Sequence, residues 1–398
     1  MSAHTETLRS KLERFTGFLK QDADNQALIA EVADLRLRLG EFDQARKMLE
    51  EALTRWPENA AFHARLASVA LASGQADEAI EILQALLSGG TESPVLRYNL
   101  AYALMHKNRF DEAKDLLLRI LDGDQSVPDA RKLLARTLHH MGDLEEAMKY
   151  AREYLEKHPG DPETLGTLAL LALDSENSAD ARAAADQAIA ADPENLNALV
   201  TLGSLSLETQ DAEKAQNYFD AAVAKHPASG RAWSGMGLTS MLSMNLDKAV
   251  ADLQRAVTHM PDHIGTWHAL AWCQILKNDL AGAEESFYKS MELNRTFGET
   301  HGGIAVVKIL KNELNEVPHI IKVALRLDPT CFSGRFAESL MVSKSDPKKA
   351  GQMIQGIMNS SIVPGGESLM EAVRRYGLKH GLGKMPHSNT GPRSPTKH

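Results

Sequence analysis

The sequence predicts an all-α protein built from repeated helix pairs. Three observations carry that prediction: prolines spaced on a 34-residue period, two columns of small residues on the same period, and an apolar composition led by Ala and Leu. Pro57, Pro159, Pro193, Pro227, Pro261 and Pro329 are separated only by multiples of 34 residues. Alanine recurs in step at Ala45, Ala79, Ala113, Ala147, Ala181, Ala215, Ala249 and Ala283, and only Val317 breaks the series. A second column, Ala33, Ala67, Ala101, Ala135, Ala169, Gly203, Gly237, Ala271 and Ala305, is small throughout. Aromatic residues make up only 5% of the chain, which favours helices in close contact over sheets of β-branched and aromatic side chains.

In chain order, Leu8, Leu12, Phe15 and Leu19 recur at helical spacing, so residues 1–25 are expected to form an N-terminal capping helix. Residues 26–331 hold nine units, each of two short amphipathic helices. The small columns fall where the two backbones approach, and a larger side chain there would overpack the crossing by roughly 1–3 kcal/mol. Leu39-Gly40-Glu41, Ser73-Gly74-Gln75 and Met141-Gly142-Asp143 supply the turn inside a unit, where Gly suits a left-handed cap. The proline column marks the exit from the second helix, because a fixed φ and a missing N–H cannot continue it. Asn59, Asp161, Asn195 and Ser229 are placed to cap the next first helix, and Pro94, Pro128 and Pro162 to occupy its first turn. Phe332 to Met358 reads as a degenerate tenth pair. Glu367 to Leu382, with Leu369, Val373 and Tyr376 on one face, reads as a C-terminal capping helix that closes a 332–383 segment. Residues 384–398 carry Pro386, Gly391, Pro392 and Pro395 with few apolar side chains and are expected to be a disordered basic tail.

These columns resemble the tetratricopeptide repeat (TPR) family, whose units carry Trp, Leu and Gly/Ala in the first helix, Ala in the second and Pro at the end. Trp233-Met236-Gly237 with Ala249 and Pro261, and Trp267-Leu270-Ala271 with Ala283, match it well. The resemblance spans about residues 26–331 and implies a right-handed superhelical solenoid of antiparallel helix pairs whose first helices line a concave side. The chain departs from the pattern at Ile29, His63, Arg97, Arg131 and His301, which replace the aromatic. Thr91, Gln125 and Arg295 replace the proline. Those turns are expected to bend differently.

Composition and motifs exclude several functions. A net charge of −9 disfavours general affinity for nucleic acid or anionic membrane, which depends on excess Lys and Arg. Cys273 and Cys331 lie far apart without CxxC or Cys/His spacing, so both read as free thiols, not as a disulfide or zinc site. Met1 to Phe15 lacks the apolar core of a signal peptide, and the most apolar stretch, Leu165 to Leu173, is too short to span a bilayer; the expectation is a cytoplasmic protein with no membrane span. Gly377 to Lys384 ends in Gly-Lys, but its spacing is one residue too long for a phosphate loop and Met385 stands where Ser or Thr is needed. His139 and His140 are helix neighbours that point apart, and Glu145-Glu146 and Glu284-Glu285 suit the N-terminal dipole of second helices. No catalytic residue, cofactor, metal or small-molecule substrate is expected.

What remains is surface. In the TPR family the second, fifth, ninth and twelfth or thirteenth positions of each unit face the groove. On repeats three and four they give Tyr98, Tyr102, Met105, His106, Lys132, Arg136, His139 and His140, a basic and aromatic patch. On repeats seven to nine they give Leu238, Met241, His268, Trp272, Ile275, Val306 and Ile309, an apolar patch suited to an extended segment or an amphipathic helix. Family members that clamp a chaperone's C-terminal carboxylate use Lys and Asn on three consecutive first helices. Here Ala64 and Ser68, Tyr98 and Asn99, and Asp129 and Leu133 do not match, and the asparagine run of glycosyltransferase-linked arrays is absent. The expected function is a non-catalytic scaffold or adaptor that binds one or more proteins. The alternatives are a targeting or regulatory subunit of a separate enzyme or secretion machine, and contact of the basic tail with nucleic acid or lipid. Changing Trp272 to Glu is expected to spare folding if Trp272 is a groove residue.

Overall fold

The computed structural model describes residues 3–91, 93–123, 127–343 and 345–359; they form twenty-one α-helices and, among the described residues, no strand. A leading helix, α1 (Ala3–Leu19), precedes nine pairs. The pairs are α2 (Gln26–Arg38) with α3 (Phe42–Arg55), α4 (Ala60–Ala72) with α5 (Ala76–Ser88), α6 (Pro94–His106) with α7 (Phe110–Gly123), α8 (Ala130–Met141) with α9 (Leu144–Lys157), and α10 (Pro162–Asp174) with α11 (Ser178–Ala191). They continue with α12 (Leu196–Glu208) and α13 (Ala212–Lys225), α14 (Gly230–Leu242) and α15 (Leu246–His259), α16 (Ile264–Leu276) and α17 (Leu280–Leu293), and α18 (Gly298–Leu310) and α19 (Val317–Leu327). A further pair, α20 (Phe332–Ser343) and α21 (Pro347–Met358), follows. The closing helix and basic tail expected beyond residue 359 lie outside the described residues. The chain divides into two compact units, 1–201 and 202–398, the division falling inside α12.

The periodicity read from the sequence is the periodicity of the backbone. First helices start at Gln26, Ala60, Pro94, Pro162, Leu196, Gly230, Ile264, Gly298 and Phe332, in steps of 34 residues or a multiple of it. Every member of both small columns is buried, including Ala113 and Gly237. At Gly237 the reason is direct: a Cβ would sit 2.5 Å from Leu253 Cγ on α15, so only a glycine lets α14 approach so closely. Asn59, Asp161, Asn195 and Ser229 all cap as expected, each accepting a backbone N–H from the first turn of its helix. Pro128 does not enter the first turn, because α8 begins two residues late at Ala130. Asp129, the residue before it, makes no side-chain cap and instead accepts the Tyr154 hydroxyl at 2.9 Å.

The turn inside each repeat shows a column that the glycines only partly announced. Residues 40, 74, 108, 142, 176, 210, 244, 278 and 312 all have positive φ, yet only Gly40, Gly74 and Gly142 are glycine. Asn108, Glu176, Gln210, Met244, Asn278 and Asn312 adopt φ between 55° and 62°. Asn reaches this region at modest cost; Glu, Gln and Met carry the full steric penalty of a Cβ.

The departures from the repeat pattern behave unequally. His63 and His301 hydrogen-bond the carbonyls of Pro57 and Arg295 at 2.8 Å, while Trp233 and Trp267 donate their indole N–H to Pro227 and Pro261 at 2.7 Å. A carbonyl only accepts, so the histidine Nε2 carries the proton, and imidazole does the indole's work. The Arg295 turn therefore does not bend differently: Asn294 closes α17 at φ −148°, ψ 105°, as Asp192 and Asp328 close α11 and α19 before Pro193 and Pro329. The Thr91 turn does differ. Its helix α5 ends a residue early, at Ser88, and Gly90 takes φ 87°. Gln125 lies outside the described residues.

Within the first unit, α1 sets Leu8 and Leu12 against Val32 and Leu35 of α2. The second unit changes geometry at α20, which packs mainly on α18 and only lightly on α19. Gly302 of α18 allows it, since a Cβ there would collide with the backbone of Ser333 and Gly334.

Candidate functional site

The candidate site is the face carried by the first helices, and it takes a different character in each unit. In the first unit the side chains of α8 meet carboxylates on α10 and at its N-cap. Lys132 Nζ lies 2.8 Å from Glu163 and 3.8 Å from Asp161, Arg136 lies 3.0 Å from Glu163, and His139 Nε2 lies 2.7 Å from Asp174. The patch is therefore aromatic with matched charges, and the basic character expected of it is cancelled by a helix that follows it in the chain. Burial would lower the Lys132 pKa, but the hydrogen bond and charge of Glu163 outweigh it and the net direction is up.

Tyr98 and Tyr102 are half-buried structural contacts as much as surface. Burial, with the charge of Asp129, pushes the Tyr98 hydroxyl up to about 12. Tyr102 meets His106 edge-on at 4.6 Å, and burial, with the nearby Arg136, lowers the His106 imidazole. His140 stacks on Phe110 at 5.1 Å, and Met105 is buried in the core with Leu104 and Ala103.

In the second unit the apolar patch splits. Val306 and Ile309 are buried, packed with Ala337 and beneath Phe336 and Leu340 of α20, so these two are core residues and not an open face. The cause is the glycine-mediated approach of α20 to α18, which nothing in the 34-residue pattern announces. Trp272 is half-buried among Phe287, Phe332 and Phe336, with ring centroids 5.8–6.2 Å away. Ile275 is partly buried beside it, and Met241 is partly buried against α15 and α16 residues.

His268 is likewise turned inward. Its Nε2 lies 2.8 Å from the Thr300 hydroxyl and 3.1 Å from that of Ser290, both fully buried, and its ring meets Phe287 edge-on at 5.2 Å. Burial lowers its pKa to about 4, so the ring is neutral at ordinary pH and a weak general base.

What stays exposed on α14, α16 and α18 is mainly leucine. Leu238 is 40% accessible, Leu276 56% and Leu310 47%, and Leu242, Leu276 and Leu310 repeat at 34 residues on the last turn of α14, α16 and α18. In the first unit the same column reads Arg38, Ala72, His106, His140 and Asp174. The spacing was legible, although which of the twelfth and thirteenth positions faces outward was not. Among the described residues no group of three or more His, Cys, Asp or Glu could hold a metal ion, and no helix is long and apolar enough to cross a membrane. Cys273 and Cys331 are buried free thiols.

Three models described as tetratricopeptide repeat match the chain, at residues 33–94, at 70–137 and 172–238, and at 128–171; together they run without a gap from 33 to 238. A search of curated proteins returns no match. Among solved structures, a monomeric IFIT1 mutant with m7Gppp-AAAA is similar at TM-score 0.58 and 15% identity over 89% of this chain and 90% of that one, which shows the fold alone. YrrB, a TPR protein with an unusual peptide-binding site, is similar over 47% of this chain and 97% of its own, at 22% identity and TM-score 0.38. MamA from Desulfovibrio magneticus RS-1 is similar over 44% of this chain and 97% of its own, at 26% identity and TM-score 0.33. Proteins of this fold serve in general as non-enzymatic interaction scaffolds. The helix pairs, their 34-residue frame and the matched models agree, and the chain belongs to the tetratricopeptide repeat family.

Proposed function

We propose that the chain is a scaffold that takes an apolar segment of a partner protein, an amphipathic helix or extended peptide, on the first-helix face of its second unit. The observation that carries this reading is the exposed ladder of Leu238, Leu276 and Leu310 beside half-buried Met241, Trp272 and Ile275. Leucines about half exposed to water on consecutive first helices gain about 1 kcal/mol each when covered, which favours a partner with a matching apolar stripe. The first unit's face is less suited, because Lys132, Arg136 and His139 already have carboxylate partners that an incoming segment would have to replace.

The test is affinity capture with the wild type beside a Leu276→Asp, Leu310→Asp double variant. Both positions are exposed, so helical circular dichroism and melting should stay at wild-type values while partner capture falls. A photo-crosslinking residue at 276 should label the partner, and one at exposed Glu285 on α17 should not. Equal labelling from both positions, or undiminished capture by the double variant, would refute the proposal.

A further inference from the structure

A second site, separate from the first-helix face, emerges from comparing the repeats with one another. The fourth residue of a repeat faces the carbonyl six positions upstream. In repeats two, seven, eight and nine that residue is His63, Trp233, Trp267 and His301, and its ring nitrogen bonds the carbonyl at 2.7–2.8 Å. In repeat seven a cation completes the arrangement, with the Arg255 guanidinium 4.6 Å from the centroid of the Trp233 ring.

Repeat five has the same setting without the ring. Its fourth residue is Leu165, which is buried and has no hydrogen to give the carbonyl of Pro159. The facing positions on α11 are Ala183, Ala184 and Gln187, so little fills the space that remains. The result is an open hollow of about 400 Å³, walled by Leu155, Leu168 and Ala184. Arg152 stands at its rim, exposed and 3.6 Å from the equally exposed Asp180. Repeat five thus offers an apolar wall, a carbonyl of the kind a ring N–H meets elsewhere in the chain, and a cation beside the opening; that cation comes from α9 of the preceding repeat, because the position of Arg255 is taken here by Gln187.

The geometry points to an indole-binding site in repeat five: a tryptophan side chain presented by another polypeptide, its ring against Leu155, Leu168 and Ala184, its N–H donated to the Pro159 carbonyl and Arg152 over its electron-rich face. The site is built from α9, α10 and α11 and does not depend on the leucine ladder.

The probe is the amide-blocked N-acetyl-5-fluorotryptophan amide, titrated onto the full chain and followed by fluorine NMR. Binding with Kd on the order of 1 mM is expected for one side chain without the rest of a partner. Methylation of the indole nitrogen should weaken it about fivefold, the worth of one hydrogen bond, and Arg152→Gln should weaken it about threefold. Leu165→Trp installs a resident indole and should abolish binding. If Leu165→Trp fails to fold, the methylated probe and Arg152→Gln decide. No binding at all, or binding indifferent to indole methylation and to Arg152→Gln, would overturn the site. Unblocked tryptophan binding more tightly than the blocked probe would overturn the assignment to a polypeptide side chain.

Discussion

Gly142→Ala isolates the backbone cost of the turn inside a repeat. Gly142 ends α8 at φ 84°, its N–H bonds the His139 carbonyl, and the N–H of Asp143 returns to Leu138, the double closure of a left-handed helix stop. A Cβ built there meets nothing within 4 Å, so the substitution removes no contact and creates no clash. What remains is the steric penalty of the left-handed region, about 1–2 kcal/mol for an L-residue. The stiffer unfolded chain of alanine returns about 0.4–1 kcal/mol, which leaves a net loss of about 1 kcal/mol. In urea unfolding followed by circular dichroism this lowers the midpoint by about 0.5 M. Gly142→Asn should cost less than Gly142→Ala, because asparagine already holds the equivalent positions 108, 278 and 312. The reciprocal change, Glu176→Gly, relieves an exposed non-glycine residue at φ 58° and should raise the midpoint. An alanine variant as stable as wild type, or a Glu176→Gly variant that is less stable, would refute the reasoning.

Other substitutions test packing, hydrogen bonding and titration. Ala147→Leu should cost roughly 1–3 kcal/mol and broaden the transition, because Ala147 is fully buried in the helix crossing of repeat four and each unit is stabilised by its neighbours; a wild-type melt would discount the crossing. Trp267→Phe keeps much of the apolar bulk but loses the N–H to Pro261, and should cost about 1 kcal/mol, measured by urea unfolding. Trp272→Glu should not spare folding after all: it sets a carboxylate among Phe287, Phe332 and Phe336, so a fall in melting temperature is expected and an unchanged melt would place the side chain in open solvent. For His268, a folded pKa of about 4 against an unfolded value near 6.5 means that the unfolded chain binds the extra proton. Its contribution is then complete above about pH 6.5 and is lost as pH falls towards 4, by about 3 kcal/mol in all. His268→Gln should flatten the stability profile between those limits; an unaltered slope would contradict a buried neutral ring.

The fold was legible because its determinants are local and repeated. A small residue every 34 positions, a proline at six of the nine exits and capping side chains such as Asn59, Asp161, Asn195 and Ser229 two residues later all act within one or two helices, and the structure departs from them chiefly at the start of α8. The site was legible only in part, because its character depends on neighbours far along the chain. Lys132 and Arg136 look basic until Glu163 arrives from α10. Val306 and Ile309 occupy groove positions in register, yet α20 covers them through an approach that a single glycine, Gly302, permits. His63 and His301 looked like losses of the family aromatic, whereas a ring nitrogen with a proton is what the carbonyl requires, and imidazole supplies one.

The packing of α20 on α18 also limits where the array could be lengthened. A duplicated unit spliced in at Pro261 would find its neighbours arranged as its own parent's were, with a small residue opposite each crossing and an acceptor carbonyl waiting for its ring. One inserted after Leu327 would have no such seat, because its first helix would have to displace Phe336 and Leu340 from Val306 and Ile309 before it could dock. A unit inserted into this chain is therefore accommodated in the interior and opposed at that junction.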